Sequence, residues 1–237
     1  MFRNLLLAVS CVALSAGAAN PQRAPVLVEL FTSEGCSSCP PADRLLQKLD
    51  PRSIVLSEHV DYWDQLGWKD RFSSHAFTQR QEKYAGEFGL DSPYTPQMVV
   101  DGAAQFTGGD SQRAAVEIAR AAGHPKAEIS LTRNGSGARV EIHGSPGAAE
   151  IWLAVADDAV SSQVSAGENK GRDLRHVAVV RSLRKIGWMK RGGTFSTQVE
   201  LPAGATEQRV VVFLQEAGQS RVVGAAMLPA GENQPRQ

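Results

Sequence analysis

Apolar residues in this chain fall into short runs with two different periods, and the change of period divides it. Residues 26–31, Val-Leu-Val-Glu-Leu-Phe, are aliphatic or β-branched at nearly every position and predict a buried strand. Downstream, Leu45, Leu46 and Leu49 recur at helical spacing, and Pro40-Pro41 fits only the first turn of such a helix, where N–H groups have no partner anyway. Asp50-Pro51 ends the pattern, and residues 54–61 predict a second strand; strand, helix and strand then make a parallel crossover. An aromatic-rich connection over 62–72 leads to a helix over 76–88 closed by Gly89 and a stiff turn over 91–96. A strand over 97–100, an Asp101-Gly102 hairpin turn, a strand over 103–107 and a helix over 111–122, capped by Asp110 and ended by Gly123, follow.

From Pro125 onward the period shortens. Seven runs, over 127–132, 138–143, 150–156, 174–180, 194–201, 209–215 and 222–228, are separated by Gly, Asn, Ser or Pro turns, with Asn134-Gly135-Ser136-Gly137 as a hairpin signal. This spacing predicts a β-rich, antiparallel sandwich-like domain over 125–230, followed by a polar tail over 231–237 expected to be disordered. At the other end, a short basic start over 1–4, an apolar run over 5–14 broken only by Ser10, and small residues over 16–19 read as a secretory signal peptide over 1–19. The run is too short to cross a bilayer, and cleavage is expected after Ala18 or Ala19.

Composition narrows the functional classes. Lys plus Arg equals Asp plus Glu at 25 each, so no global charge draws the chain to nucleic acid or to an anionic membrane surface. Of three cysteines, Cys11 leaves with the signal, which puts Cys36 and Cys39 alone in an oxidising compartment. They form a Cys-x-x-Cys at the junction of a strand and a helix, where the positive end of the helix favours thiolate, the form that attacks disulfides. Cys36, ahead of the helix, is expected to be the accessible attacking sulfur and Cys39 the resolving one. A purely structural disulfide explains the spacing poorly, because so small a loop removes little chain entropy. A copper or zinc site is the other reading of two thiols, but it needs further ligands. No second cysteine pair exists, and His59, His75, His124, His143 and His176 show no paired spacing, although His59 can converge on the thiols in space. Asp61, Tyr62 and Trp63 follow the second strand at the edge where Cys36 follows the first. Asp61 there reads as a proton relay for Cys39 or a turn cap, and Tyr62 and Trp63 as groove walls or buried packing. Gly167-Glu168-Asn169-Lys170-Gly171-Arg172 is a glycine-bracketed loop that reads as a solvated connection.

With Cys-x-x-Cys after the first strand and Thr95-Pro96 before the third, the first part resembles the thioredoxin fold, and Pro96 matches the proline which thioredoxin-like proteins hold in cis beside the dithiol. The whole chain resembles more closely DUF1223, a family of secreted bacterial proteins. That likeness is carried by Val28-Glu29-Leu30-Phe31-Thr32-Ser33, Gly35-Cys36-Ser37-Ser38-Cys39-Pro40-Pro41-Ala42-Asp43, His59-Val60-Asp61-Tyr62-Trp63-Asp64, Tyr94-Thr95-Pro96-Gln97 and Gly167-Glu168-Asn169. Unlike thioredoxin, the chain has Gly35 where an aromatic precedes the first cysteine, and Ser37-Ser38 between the thiols. The resemblance implies an α/β thioredoxin-like domain over 24–123 followed by the β-rich domain, with Thr95 and Pro96 lining a substrate groove and Glu168 and Asn169 fixing contact with the first domain. Together with the Cys-x-x-Cys reading, this predicts a periplasmic or secreted thiol-disulfide oxidoreductase acting on protein thiols or disulfides, with a redox-recharging partner, no organic cofactor and no membrane attachment after signal cleavage. A thiolate metal-binding protein and a non-catalytic thioredoxin-like binding module are the alternatives.

Overall fold

The computed structural model describes residues 25–231; the signal-peptide expectation over 1–19 and the tail over 232–237 lie outside the described residues. The apolar run after Pro25 forms β1 (Leu27–Thr32), every residue of which is buried because helices cover both faces of the sheet there. The two prolines occupy the first turn of α1 (Pro40–Leu49), and α1 returns the chain to β2 (Ile54–His59), parallel to β1 with Thr32 beside His59. The helix α2 (His75–Glu87) starts at Ser74, whose side chain accepts a hydrogen bond from the Ala76 amide. The strands β3 (Gln97–Val100) and β4 (Ala104–Thr107) form a hairpin around Asp101-Gly102, both with positive φ, and α3 (Ser111–Ala121) is capped by the Asp110 carboxylate.

The remaining strands are β5 (Glu128–Asn134), β6 (Gly137–His143), β7 (Ala149–Gln163), β8 (Asp173–Met189), β9 (Thr194–Glu200), β10 (Gln208–Glu216) and β11 (Val222–Leu228). Four of them extend the sheet begun by β1 to β4, giving the order β11-β10-β7-β8-β2-β1-β3-β4, while β5, β6 and β9 form a separate three-stranded sheet. The two parts of the chain therefore share one sheet, joined where β8 lies parallel to β2 at Ser57 and Val179. Strands β7 and β8 run well beyond the apolar stretches that mark them in the sequence. The extra residues of β7, including Asp157, Asp158, Ser161 and Ser162, pair with the Asp173–Val179 end of β8, and the extra residues of β8 from Ser182 to Met189 pair with Ala149–Val155 of β7.

Alternation sorts the core. Val28, Leu30, Val55, Met98 and Val100 face α1 and α3, whereas Leu27, Ile54 and Leu56 face Phe77 of α2. At the β-rich end, Val140 and Ile142 of the small sheet pack on Ile151, Leu153, Val210, Val212 and Leu214. Truncating any one of these fully buried side chains to Ala costs about 2–5 kcal/mol. A buried ion network ties the sheet to α2: Arg80 Nε donates to Glu29 Oε1 at 2.7 Å, Tyr84 Oη donates to Glu29 Oε2 at 2.6 Å, and Arg80 Nη2 reaches Gln215 Oε1 of β10 at 3.1 Å. Glu58 sits 3.5 Å from Arg80 Nε. Burial, followed by the charge of Glu29, pushes the Glu58 carboxyl well above the usual range.

Candidate functional site

The end of β1 continues as Ser33-Glu34-Gly35 into the two cysteines, which form a disulfide with Cα atoms 5.4 Å apart. Cys39 is the N-cap residue of α1, and its carbonyl accepts the first helical amides, those of Ala42 and Asp43. Ser38 Oγ lies 3.3 Å from Cys36 Sγ. Because Thr32 and His59 end neighbouring parallel strands, the residues after each strand open on the same sheet edge.

Contrary to the expectation of an accessible Cys36, both cysteines are 0 % exposed. Two segments pack against the stretch that carries them. From one side comes Trp63, whose Nε1 donates to Thr95 Oγ1 at 2.8 Å; a Cβ on Gly35 would lie 3.0 Å from the Trp63 Cβ. Trp63 thus spans from the residue before Cys36 to the residue before Pro96, and it supplies from another segment the aromatic that Gly35 lacks. The Thr95-Pro96 bond is cis, and Pro96 faces Gly108 together with Ala42 of α1. Tyr62 stands behind Trp63, ring centroids 6.5 Å apart, with its hydroxyl donating to Gln81 Oε1. Burial raises its pKa to about 12.

From the other side comes the tip of the β7–β8 ribbon. Asn169, fully buried, donates from Nδ2 to the carbonyls of Glu34 at 2.8 Å and Cys36 at 2.9 Å, and Glu168 Oε2 accepts from the Ser37 amide at 3.0 Å. The Ser37 contact holds Glu168 ionised below the usual carboxylate range. Gly167 has φ +70°, and a Cβ there would lie 3.0 Å from Trp68 Cβ, so glycine is required both by conformation and by space. The loop that reads in the sequence as a solvated connection is thus in contact with the dithiol segment.

Asp61 makes its side-chain hydrogen bonds to the start of α2. Its carboxylate accepts from Thr78 Oγ1 at 2.5 Å and faces His75 Nδ1 at 3.2 Å, which makes it a tie to α2. Five ionisable side chains gather at this sheet edge, a cluster that no local sequence pattern shows: Glu34, Asp43, His59, Asp70 and His176, all buried. His59 Nδ1 and Asp70 Oδ2 are 2.6 Å apart, and Asp70 also accepts from the amides of Glu34 and Phe72, each at 2.9 Å. Burial disfavours the Asp70 carboxylate, but His59 and the two amides outweigh it and lower its pKa. His176 stands between Glu34 at 3.6 Å and Asp43 at 3.7 Å, long for hydrogen bonds and within ion-pair range, with its ring 4.8 Å from that of His59. Burial alone would discharge His176; Asp43 and Glu34 overcome it and lift the pKa to about 9, so the ring is an imidazolium at neutral pH. Glu34 is correspondingly lowered despite its burial, helped by His176 and by Trp68 Nε1 at 2.8 Å. Asp43 is further fixed by Thr32 Oγ1 at 3.0 Å and borders a cleft of about 200 Å³ between α1 and β8, lined also by Pro40, Arg44, Gln47 and Arg175. Among the described residues no group of three or more His, Cys, Asp or Glu side chains is arranged to hold a metal ion. No helix among them is long and apolar enough to cross a membrane.

Fold and site together define a mixed, sheet-rich α/β protein with a disulfide at the start of a helix, backed by a buried charge cluster. The chain belongs to the DUF1223 family: the family model, described as a protein of unknown function, matches residues 27–215, a span that holds the disulfide, Asn169 and His176. The structure is similar to the crystal structure of protein AGR_C_4864 from Agrobacterium tumefaciens, with TM-score 0.77, 29% identity, and 91% of this chain and 99% of that one covered. It is similar in fold to HBP35 of Porphyromonas gingivalis, with TM-score 0.63, 15% identity, and 90% and 77% of the two chains covered. A comparison with curated proteins gives no match.

Proposed function

We propose that the protein is a secreted or periplasmic thiol-disulfide oxidoreductase of thioredoxin-like architecture, working through Cys36 and Cys39. The observation that carries this reading is the disulfide itself, at the N-terminus of α1 and on the edge where β1 and β2 both end. The strand order β2-β1-β3-β4, with β3 antiparallel to β1 and with α1 and α3 on one face and α2 on the other, supports the thioredoxin-like architecture. The apolar stretch over 5–14 supports export.

In the exchange, a thiolate of a partner protein attacks Cys36 Sγ; the Cys36–Cys39 bond breaks, a mixed disulfide forms at Cys36, and Cys39 leaves as a thiolate that takes up a proton. A second thiolate of the partner then attacks the partner's sulfur in the mixed disulfide. Cys36 is released, the partner departs as a disulfide, and two electrons have passed to the Cys36–Cys39 pair. Run backwards, the same steps reduce a partner disulfide, with Cys36 attacking and Cys39 resolving. Helix-end amides and Ser38 Oγ stabilise a Cys36 thiolate, whereas Glu34 opposes it and no Lys, Arg or His lies between the thiols.

Equilibration of the mature protein in glutathione or dithiothreitol buffers, read by alkylation and mass counting, tests the reading. The expected result is a reversible two-electron couple with a potential on the order of −200 to −270 mV. A higher potential refutes the argument from Ser37-Ser38, and the absence of any reversible couple refutes the oxidoreductase itself.

A further inference from the structure

We propose that the ribbon tip over 164–172 is a releasable latch on the Cys36–Cys39 pair, held shut by Asn169 and Glu168, and that exchange at the pair proceeds only when the latch opens. The proposal rests on the exchange reading above and adds the step that controls it.

Three hydrogen bonds from two adjacent latch residues go to main-chain atoms of the segment 34–37: Asn169 Nδ2 to the carbonyls of Glu34 and Cys36, and Glu168 Oε2 from the Ser37 amide. They grip the chain on both sides of Gly35 and between the two thiols, and with the latch in place neither cysteine has any exposed surface. A partner sulfur therefore has no line of attack on Cys36 Sγ in the closed form, because such an attack needs direct contact along the S–S axis.

The latch is built to let go. Within 164–172 only Val164 and Asn169 are buried, so lifting the tip exposes little apolar surface, which is what allows a local opening at low cost. Its base is closed by the Val164 amide to the Arg172 carbonyl and the Gly171 amide to the Val164 carbonyl, and Gly167 and Gly171, both with positive φ, supply backbone freedom on either side of Asn169. Asn169 also holds itself imperfectly, since its Oδ1 is buried with no hydrogen-bond partner among the described residues. That orphaned carbonyl opposes the two donor bonds and keeps the closed state from being locked.

The experiment compares the wild-type mature protein with Asn169→Ala, Glu168→Ala and, as a control on an exposed latch residue, Lys170→Ala. The rate of Cys36–Cys39 reduction is measured under excess dithiothreitol, with quenching by an alkylating agent and mass counting. Asn169→Ala is expected to be reduced about tenfold faster or more, the factor that loss of its two bonds puts on the opening equilibrium. Glu168→Ala is expected to be about threefold faster and Lys170→Ala unchanged. Glu168 is solvent-exposed, so its variant folds and decides the matter if Asn169→Ala does not. No acceleration in Glu168→Ala, or in a folded Asn169→Ala, overturns the latch while leaving a reversible couple, and with it the exchange reading, intact. A pair that shows no reversible couple in the wild type or in any variant overturns both.

Discussion

Raising the pH above neutrality is expected to destabilise the oxidised protein through one side chain, His176. Its imidazolium is held between Glu34 and Asp43 with a pKa of about 9, against 6.5 for a free histidine. The folded protein binds this proton more tightly than the unfolded chain does. The resulting stabilisation is fully present below about pH 6.5, declines as the pH rises, and is gone once the pH passes about 9. The difference between the two pKa values corresponds to on the order of 3 kcal/mol, a large part of the net stability of a domain. Glu34 and Asp70, whose carboxyls are lowered, act in the opposite sense: their contribution is present above the ordinary carboxylate range and is lost on the acid side. Urea unfolding of the disulfide form, followed by tryptophan fluorescence between pH 6 and 10, reads the effect without thiol titration. The midpoint is expected to fall between roughly pH 6.5 and 9 with an unchanged slope, and His176→Gln, less stable at pH 6, is expected to lose most of that decline. A wild-type midpoint that stays level across this interval refutes the imidazolium between the two carboxylates.

Asp61→Asn is expected to cost about 1 kcal/mol in urea unfolding through the Thr78 bond and to leave the disulfide exchange rate unchanged; exchange slowed tenfold would restore Asp61 as a relay. Gly35→Ala forces a Cβ against Trp63 and is expected to cost about 1–3 kcal/mol, with a changed tryptophan emission, and an unaltered midpoint would show that Trp63 does not pack on Gly35. Arg80→Met leaves Glu29 buried without its cation and is expected to destabilise by about 3–5 kcal/mol in urea unfolding; a smaller loss at neutral pH argues that the network is not held by charge.

Local signals in the sequence lead to local features of the structure. The prolines after Cys39, the Asp110 cap and the Asp101-Gly102 turn all mark boundaries found within a residue or two, because each acts through its own backbone. Strand length fails where apolar alternation stops: the polar end of β7 is a strand because it pairs with Asp173–Val179 of β8, and the second half of β8 because it pairs with Ala149–Val155 of β7. Sheet membership was not readable either, since the β2–β8 pairing joins Ser57 to Val179 across more than half the chain. The same distance hid the charge cluster. Glu34 and His59 are the polar residues met just as two parallel strands end, and His176 stands alone before the apolar run Val177 to Val180; those were the available hints. Nothing local pairs a histidine at 176 with a glutamate at 34.

The β7–β8 ribbon brings both the floor and the cover of the site, since His176 and Asn169 lie seven residues apart on it. These two roles conflict if the whole ribbon moves, because lifting His176 would strand Glu34 and Asp43 as buried charges. The ribbon is pinned below its tip on both strands. Arg71 Nη2 donates to the Ser161 carbonyl of β7 at 2.8 Å, and Gln47 Nε2 of α1 donates to the Arg175 carbonyl of β8 at 2.7 Å. Farther down, Arg209 of β10 joins Asp50, after α1, to Asp158 of β7. Opening is thereby confined to residues between Ser162 and Asp173, with His176 retained against its two carboxylates. A long ribbon attached to two packed sheets is an economical way to meet both demands: its base is anchored by a core, and only its tip, where little apolar surface is buried, is free to leave the disulfide.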